Sequence, residues 1–181
     1  MKIVKALVAL ALVAGAVYFS LRRYYPPYRC NIIVMNVSRN SDIIARSVNS
    51  LQIAFGARRN LELLRPCVEA VPQSVAVQML AGTNHTFLDQ HEQALQRYRA
   101  AMQWDQRPEL HLEVGLSLLR LGREKEAYPH LVSACLIHPV WTELIPDQMR
   151  AYVNVEIEKL RGPESWKLRK KKRGDLPKLG Y

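Results

Sequence analysis

The sequence predicts an all-α protein: an uncharged N-terminal helix, a short array of helical hairpins, a capping helix and a basic tail. Three observations predict it. Residues 6–21 (ALVALALVAGAVYFSL) carry no charge. From Ser41 onward apolar residues recur at helical spacing, and no run reads as paired strands. Slid over itself by 33 residues, the chain sets Gly82 on Gly115, Leu88 on Leu121, Ala94 on Ala127, Tyr98 on Leu131 and Ala101 on Ala134.

Residues 6–21 span roughly 24 Å as a helix. The hydrocarbon core of a bilayer is about 30 Å thick. Lys5 and Arg22 can snorkel at the two ends, and Tyr18, Tyr24 and Tyr25 suit an interfacial belt. The segment 1–23 therefore reads as a single-pass anchor. The competing readings are a cleaved signal peptide, with Met1–Lys5 as its basic start and Ala14-Gly15-Ala16 as its cleavage motif, and a buried helix of a soluble protein. Against cleavage, the apolar run continues through Val17, Phe19 and Leu21. Lys2 and Lys5 precede the segment and Arg22, Arg23 and Arg29 follow it, so the positive-inside rule is nearly tied. The short basic N-terminus favours staying in the cytoplasm, with the body exported.

Residues 24–40 read as a proline-containing linker and extended strip. Pro26 and Pro27 are expected to end the anchor helix, and Asn31–Ser38 is rich in branched residues. A helical domain is expected over 41–161, with breaks at Gly56, Pro72, Pro108, Gly122, Pro139 and Gly162. It divides into a degenerate unit at 41–74, units at 75–107 and 108–141, and a cap at 146–161. Small residues kept at one period have a physical reason: Gly or Ala where helices cross lets backbones approach, and a large residue fills the adjoining groove. A period in this range means a solenoid of helical hairpins.

These residues resemble the tetratricopeptide repeat. In unit 108–141, Gly115 stands at the small-residue site of the first helix and Leu121-Gly122 at the turn. Ala127, Leu131, Ala134 and Pro139 stand at the sites of the second helix and its exit. Unit 75–107 has Gly82, Leu88, Ala94, Tyr98 and Ala101, with Asp89 for Gly at the turn and Gln106 for Pro at the exit. The family's first-helix Trp is replaced by Gln78 and His111. In the earlier unit, Leu64, Cys67 and Pro72 fit. The resemblance implies a TPR-like α-solenoid whose ligands lie along a concave face made by first helices. The implied groove residues are Ala76, Met79, Thr83, Thr86 and Phe87 in one unit, and Glu109, Leu112, Leu116, Leu119 and Arg120 in the next. Met79, Thr83, Leu112 and Leu116 replace the Lys and Asn of the family's carboxylate clamp, so a chaperone-tail clamp is disfavoured. An apolar concave face suits an apolar helix or strip, either a partner's or the chain's own cap or Asn31–Ser38.

In the cap, Met149, Val153, Ile157 and Leu160 share one stripe of Asp147–Leu160, and Gly162-Pro163 ends it. The chain has 26 Lys+Arg against 16 Asp+Glu, a net charge of +10. Residues 159–181 hold nine of the bases and two acids, so the remaining 158 residues are nearly balanced. In the tail, 162–181, Lys167, Arg169, Lys170, Lys171, Lys172 and Arg173 are too dense in like charge to pack in a core. An anionic lipid surface is their first expected partner; an acidic protein surface is the alternative, and nucleic acid is disfavoured.

No pattern carries chemistry. His91-Glu92 lacks the second histidine of a zinc-protease helix, no glycine-rich phosphate loop occurs, and His85, His111, His130 and His138 are scattered. Cys30, Cys67 and Cys135 form no CxxC pair, and Cys67 and Cys135 read as small buried hydrophobes. Asn36-Val37-Ser38 and Asn84-His85-Thr86 spell glycosylation sites, but Asn84 is expected mid-helix. No cofactor, metal or catalytic residue is expected. The reading is a non-enzymatic adaptor, single-pass in a bacterial inner membrane with its repeat domain exported, an accessory or assembly subunit of a membrane complex. The alternative is an exported soluble repeat protein that binds a peptide or glycan after signal cleavage. A third reading, an accessory factor of an envelope polymerase or transferase, is not separable from the first by sequence.

Overall fold

The computed structural model describes residues 2–162, with side chains described from Leu10 onward except that of Arg23. Every regular element among them is helical: α1 (Lys2–Ala45), α2 (Ser50–Ala70), α3 (Val75–Phe87), α4 (His91–Met102), α5 (Pro108–Arg120), α6 (Glu124–Ile137), a 3₁₀ segment (Pro139–Leu144) and α7 (Asp147–Arg161). The all-α expectation holds. The chain forms two compact units, Met1–Gln106 and Arg107–Tyr181.

In the first unit, α1 packs on α2 and α3, α2 on α3, and α3 on α4. The expected linker and strip over 24–40 is instead helical, because α1 runs without interruption through Pro26 and Pro27. Two prolines delete only the amides that would bond the carbonyls of Arg22 and Arg23. Downstream, Cys30, Val37, Ser41 and Ile44 are buried, so tertiary packing holds the helix that local rules would end. At 44 residues α1 is about 66 Å long. Its C-terminal half pairs with α2 as a hairpin, so the degenerate unit expected over 41–74 is not a hairpin of its own. Gly56, expected as a break, lies inside α2, where a Cβ would stand 2.6 Å from Ile44 Cδ1. It is a close-contact glycine, not a helix stop.

Asn49 caps α2 by accepting hydrogen bonds from the amides of Leu51 (2.9 Å) and Gln52 (3.3 Å), and Ser74 caps α3 by accepting from Val77. Three buried polar residues join three helices. Asn60 Nδ2 donates to Asn84 Oδ1 at 3.0 Å and to Ser41 Oγ at 3.3 Å, and Asn84 Nδ2 donates to Ser41 Oγ at 3.2 Å. Such a network costs most when α2 slips in register, since each amide then loses partners in a dry core. It also buries Asn84 completely, which removes it as a glycosylation acceptor.

The 33-residue offset reappears in the packing. A Cβ on Gly82 would lie 2.5 Å from Tyr98 Cε1, and one on Gly115 would lie 2.6 Å from Leu131 Cδ2. Ala94, Ala101, Ala127 and Ala134 are all buried. Even the turns correspond: Asp89 has φ 55° and Gly122 φ 70°. A left-handed conformation costs a non-glycine residue about 1–2 kcal/mol, less for Asp. Asp89→Gly is therefore expected to raise stability by about 0.5–1 kcal/mol in chemical denaturation, without a change in m-value.

In the second unit, α5 packs on α6 and α6 on α7. Pro108 starts α5 at a position where a missing amide costs nothing. The cap helix buries Val153 and Ile157, but Leu160, expected on the same stripe, is exposed. By Leu160 the contact stripe has run past the end of its support, and Arg161 makes the last contact by donating to the Leu136 carbonyl. At the other end Arg150 donates to the carbonyls of Ile145 (2.9 Å) and Glu143 (3.2 Å) and pairs with Asp147 at 3.0 Å. It thereby holds α7 to the 3₁₀ segment. Gly162, at φ 71°, terminates α7.

Among the described residues no helix is long and apolar enough to cross a membrane. The segment expected to do so, 6–21, begins with side chains 6–9, which lie outside the described ones.

Candidate functional site

The expected groove residues fall on one helix of each unit. Met79, Thr83 and Phe87 lie on α3 and are half-buried. Thr83 is committed to packing, since its hydroxyl donates to the Met79 carbonyl at 3.1 Å and accepts from the Tyr98 hydroxyl at 3.4 Å. On α5, Leu116 and Leu119 are half-buried and Arg120 is exposed, whereas Leu112 is only 6 % exposed. Leu112 is thus core of its own unit and unable to line a ligand groove. The tail residues Lys167, Arg169, Lys170, Lys171, Lys172 and Arg173 lie outside the described residues.

A concavity that the sequence reading missed lies between α2, α3 and α4. It has a volume of about 290 Å³ and an apolar floor of Leu61, Leu64, Val68 and Ala81. Arg65, Arg97, His85 and Glu69 complete its lining. His85 is oriented by Gln90, whose Oε1 stands 2.7 Å from its Nδ1. The volume sits near the lower end for small-molecule pockets and suits one or two side chains of a partner. Leu64 was read from sequence as a repeat packing site and His85 as a groove-side histidine, but nothing in the sequence joined them, because the lining residues are spread from Leu61 to Arg97 and meet only when α2 lies beside α3.

The cysteines also differ from expectation. Cys30 and Cys67, read separately from sequence, form a disulfide with a Cα–Cα distance of 5.4 Å. It ties α1 to the C-terminal end of α2 within a cluster that includes Val71 and Val77. Cys135 is the free, buried thiol expected, and burial pushes its pKa up to about 11. It stays protonated and unreactive at neutral pH.

In the second unit His111 on α5 and His130 on α6 approach with their Nδ1 atoms 3.1 Å apart. One nitrogen must donate and the other accept, so the contact excludes two imidazolium ions. Burial holds the His111 pKa below its ordinary 6.5. The unfolded chain then takes up the proton first, so this group's stabilisation is full above about pH 6.5 and is lost as pH falls toward its folded pKa. Wild-type protein is expected to melt lower at pH 5.5 than at pH 7.5, and His111→Gln to reduce that difference. Among the described residues no group of three or more His, Cys, Asp or Glu side chains is placed to hold a metal ion.

A scan against protein-family models finds no match. A search of curated proteins finds none either.

Proposed function

We propose that the chain is a membrane-anchored, non-enzymatic helical-repeat adaptor whose body lies on the oxidising side of a bacterial inner membrane. The observation that carries this reading is α1. Its first part contains the uncharged run 6–21, and its second part is sealed into the helical body by the Cys30–Cys67 disulfide. Disulfides persist in the periplasm and in other oxidising compartments and are rare in the cytosol. Where the charge rule is nearly tied, the disulfide supports the reading of an exported body. The repeated Gly–large-residue packing supports the TPR-like reading. The α2–α4 concavity, with its apolar floor and two arginines that have no partner among the described residues, supports contact with a partner side chain of mixed apolar and acidic character. Purification in mild detergent is expected to recover the protein with other subunits at fixed stoichiometry. Recovery of the chain alone under every condition contradicts the adaptor role.

An exported soluble binding protein would share the disulfide. N-terminal sequencing separates the two, since the anchored reading requires an intact Met1 and the soluble one a start at Val17.

The tail completes the proposal. Deleting 164–181 is expected to leave folding intact and to reduce retention on vesicles containing anionic lipid at about 0.1 M salt. At 1 M salt, where the screening length falls to about 3 Å, the difference should vanish. Retention that is unchanged at both salt concentrations contradicts the role.

A further inference from the structure

Helix α1 is apolar on two opposite faces, and among the described residues only one of them packs against other helices. Cys30, Val34, Val37, Ser41 and Ile44 recur at alternating steps of three and four and turn toward α2 and α3. A second series, Tyr18, Leu21, Tyr25, Tyr28, Ile32 and Met35, recurs at the same steps about 180° around the helix. Tyr25 is 53 %, Tyr28 64 %, Ile32 45 % and Met35 67 % exposed. Six positions at 3-4 spacing are the a and d sites of three heptads. Ala11 and Ala14 carry the register back into the uncharged run, where small residues permit close helix approach.

We propose that two copies of the chain pair in parallel along this outward face of α1. The pairing rests on the anchored reading above, which sets both copies in one membrane with the same direction and the same height. Lipid does not account for the stripe: Ile32 and Met35 stand about 16 and 21 Å beyond Leu21 along the helix, past a headgroup layer of about 5–8 Å. The charges favour a second copy. Arg22 and Arg29 fall at e sites, and the g sites facing them in a parallel pair are Val17 and Tyr24, so no like charges meet there. The register continues to Arg39 and Asp42 at the next a and d sites. Both are exposed, and neither has a partner among the described residues. In a parallel pair each Arg39 shares its layer with the other copy's Arg39 and lies one layer from its Asp42, so the apolar seam ends at Met35. Pro26 and Pro27 fall at b and c, away from the seam.

The test is disulfide trapping in membranes of cells that make full-length protein carrying Cys135→Ala. Met35→Cys and Tyr28→Cys are each expected to give dimers under mild oxidation, and Asn40→Cys, about 100° off the seam, is not. Adding Ile32→Glu to Tyr28→Cys should lower the dimer yield about tenfold, the effect of about 1.4 kcal/mol. The helical circular dichroism and the Cys30–Cys67 bond should persist in that variant. Equal trapping at all three positions, or at none, overturns the pairing. Fractionation of the same cells separates this claim from the anchor. Membrane-bound protein without seam-specific dimers overturns the pairing alone. Seam-specific dimers in the soluble fraction overturn the anchor alone, and soluble protein without them overturns both.

Discussion

Replacing Cys30 and Cys67 together by Ala is expected to lower stability by about 4 kcal/mol, the largest effect of any substitution considered. The bond joins residues 37 apart in sequence, and closing a loop of that length removes about this much entropy from the unfolded chain in the chain-entropy account. For a chain of this size the melting temperature should fall by roughly 10 °C. Alanine is the right replacement, because serine would add two buried hydroxyls beside Val71 and Val77. Wild-type protein melted in excess reductant should match the variant, and the variant should not respond to reductant. A wild-type melting point unmoved by reductant contradicts the bond.

The second large effect concerns the helix crossings. Gly82→Ala and Gly115→Ala are each expected to cost about 2–3 kcal/mol, within the range for overpacked cores. The ring of Tyr98 is fully buried and lies 2.5–2.8 Å from where the new methyl would stand. A rigid ring cannot yield as a flexible chain end can. At Gly115 the obstacle is the branched end of Leu131, at 2.6 and 2.7 Å, so the loss should be somewhat smaller there. Gly82→Ala combined with Tyr98→Leu should recover part of the loss, since the shortened side chain vacates the crossing. Gln96→Ala, on the exposed face of α4, should be nearly neutral. Equal effects at Gly82, Gly115 and Gln96 in denaturant titrations would contradict the shared packing register.

The crossings were legible in sequence because they obey a short-range rule: a small residue on one helix and a large one on the next, repeated at a fixed offset. Asp89 and Gly122 follow the same offset, although only one of them is a glycine. What escaped the sequence depends on contacts made across distance. Pro26-Pro27 reads locally as a helix end, yet burial of Cys30, Val37 and Ile44 beyond it keeps α1 whole. Gly56 reads as a break for the same reason, although it serves as a contact point for Ile44. The disulfide follows no spacing rule, since Cys30 and Cys67 meet only because α2 folds back along α1. The Ser41–Asn60–Asn84 network and the α2–α4 concavity likewise have no periodic signature. Of the expected groove, Leu112 was lost because a repeat register assigns a helix face more securely than it assigns which side chains on that face stay exposed.

In the proposed reading one helix both anchors the chain and, through an oxidised cysteine pair, fixes the exported helical body to it. Intact-mass spectrometry of the protein from the membrane fraction, unfolded and alkylated without reduction, tests this most directly. The expected species is a chain that begins at Met1 and carries one alkyl adduct, on Cys135. A chain that begins at Val17, or one that carries three adducts, would contradict it.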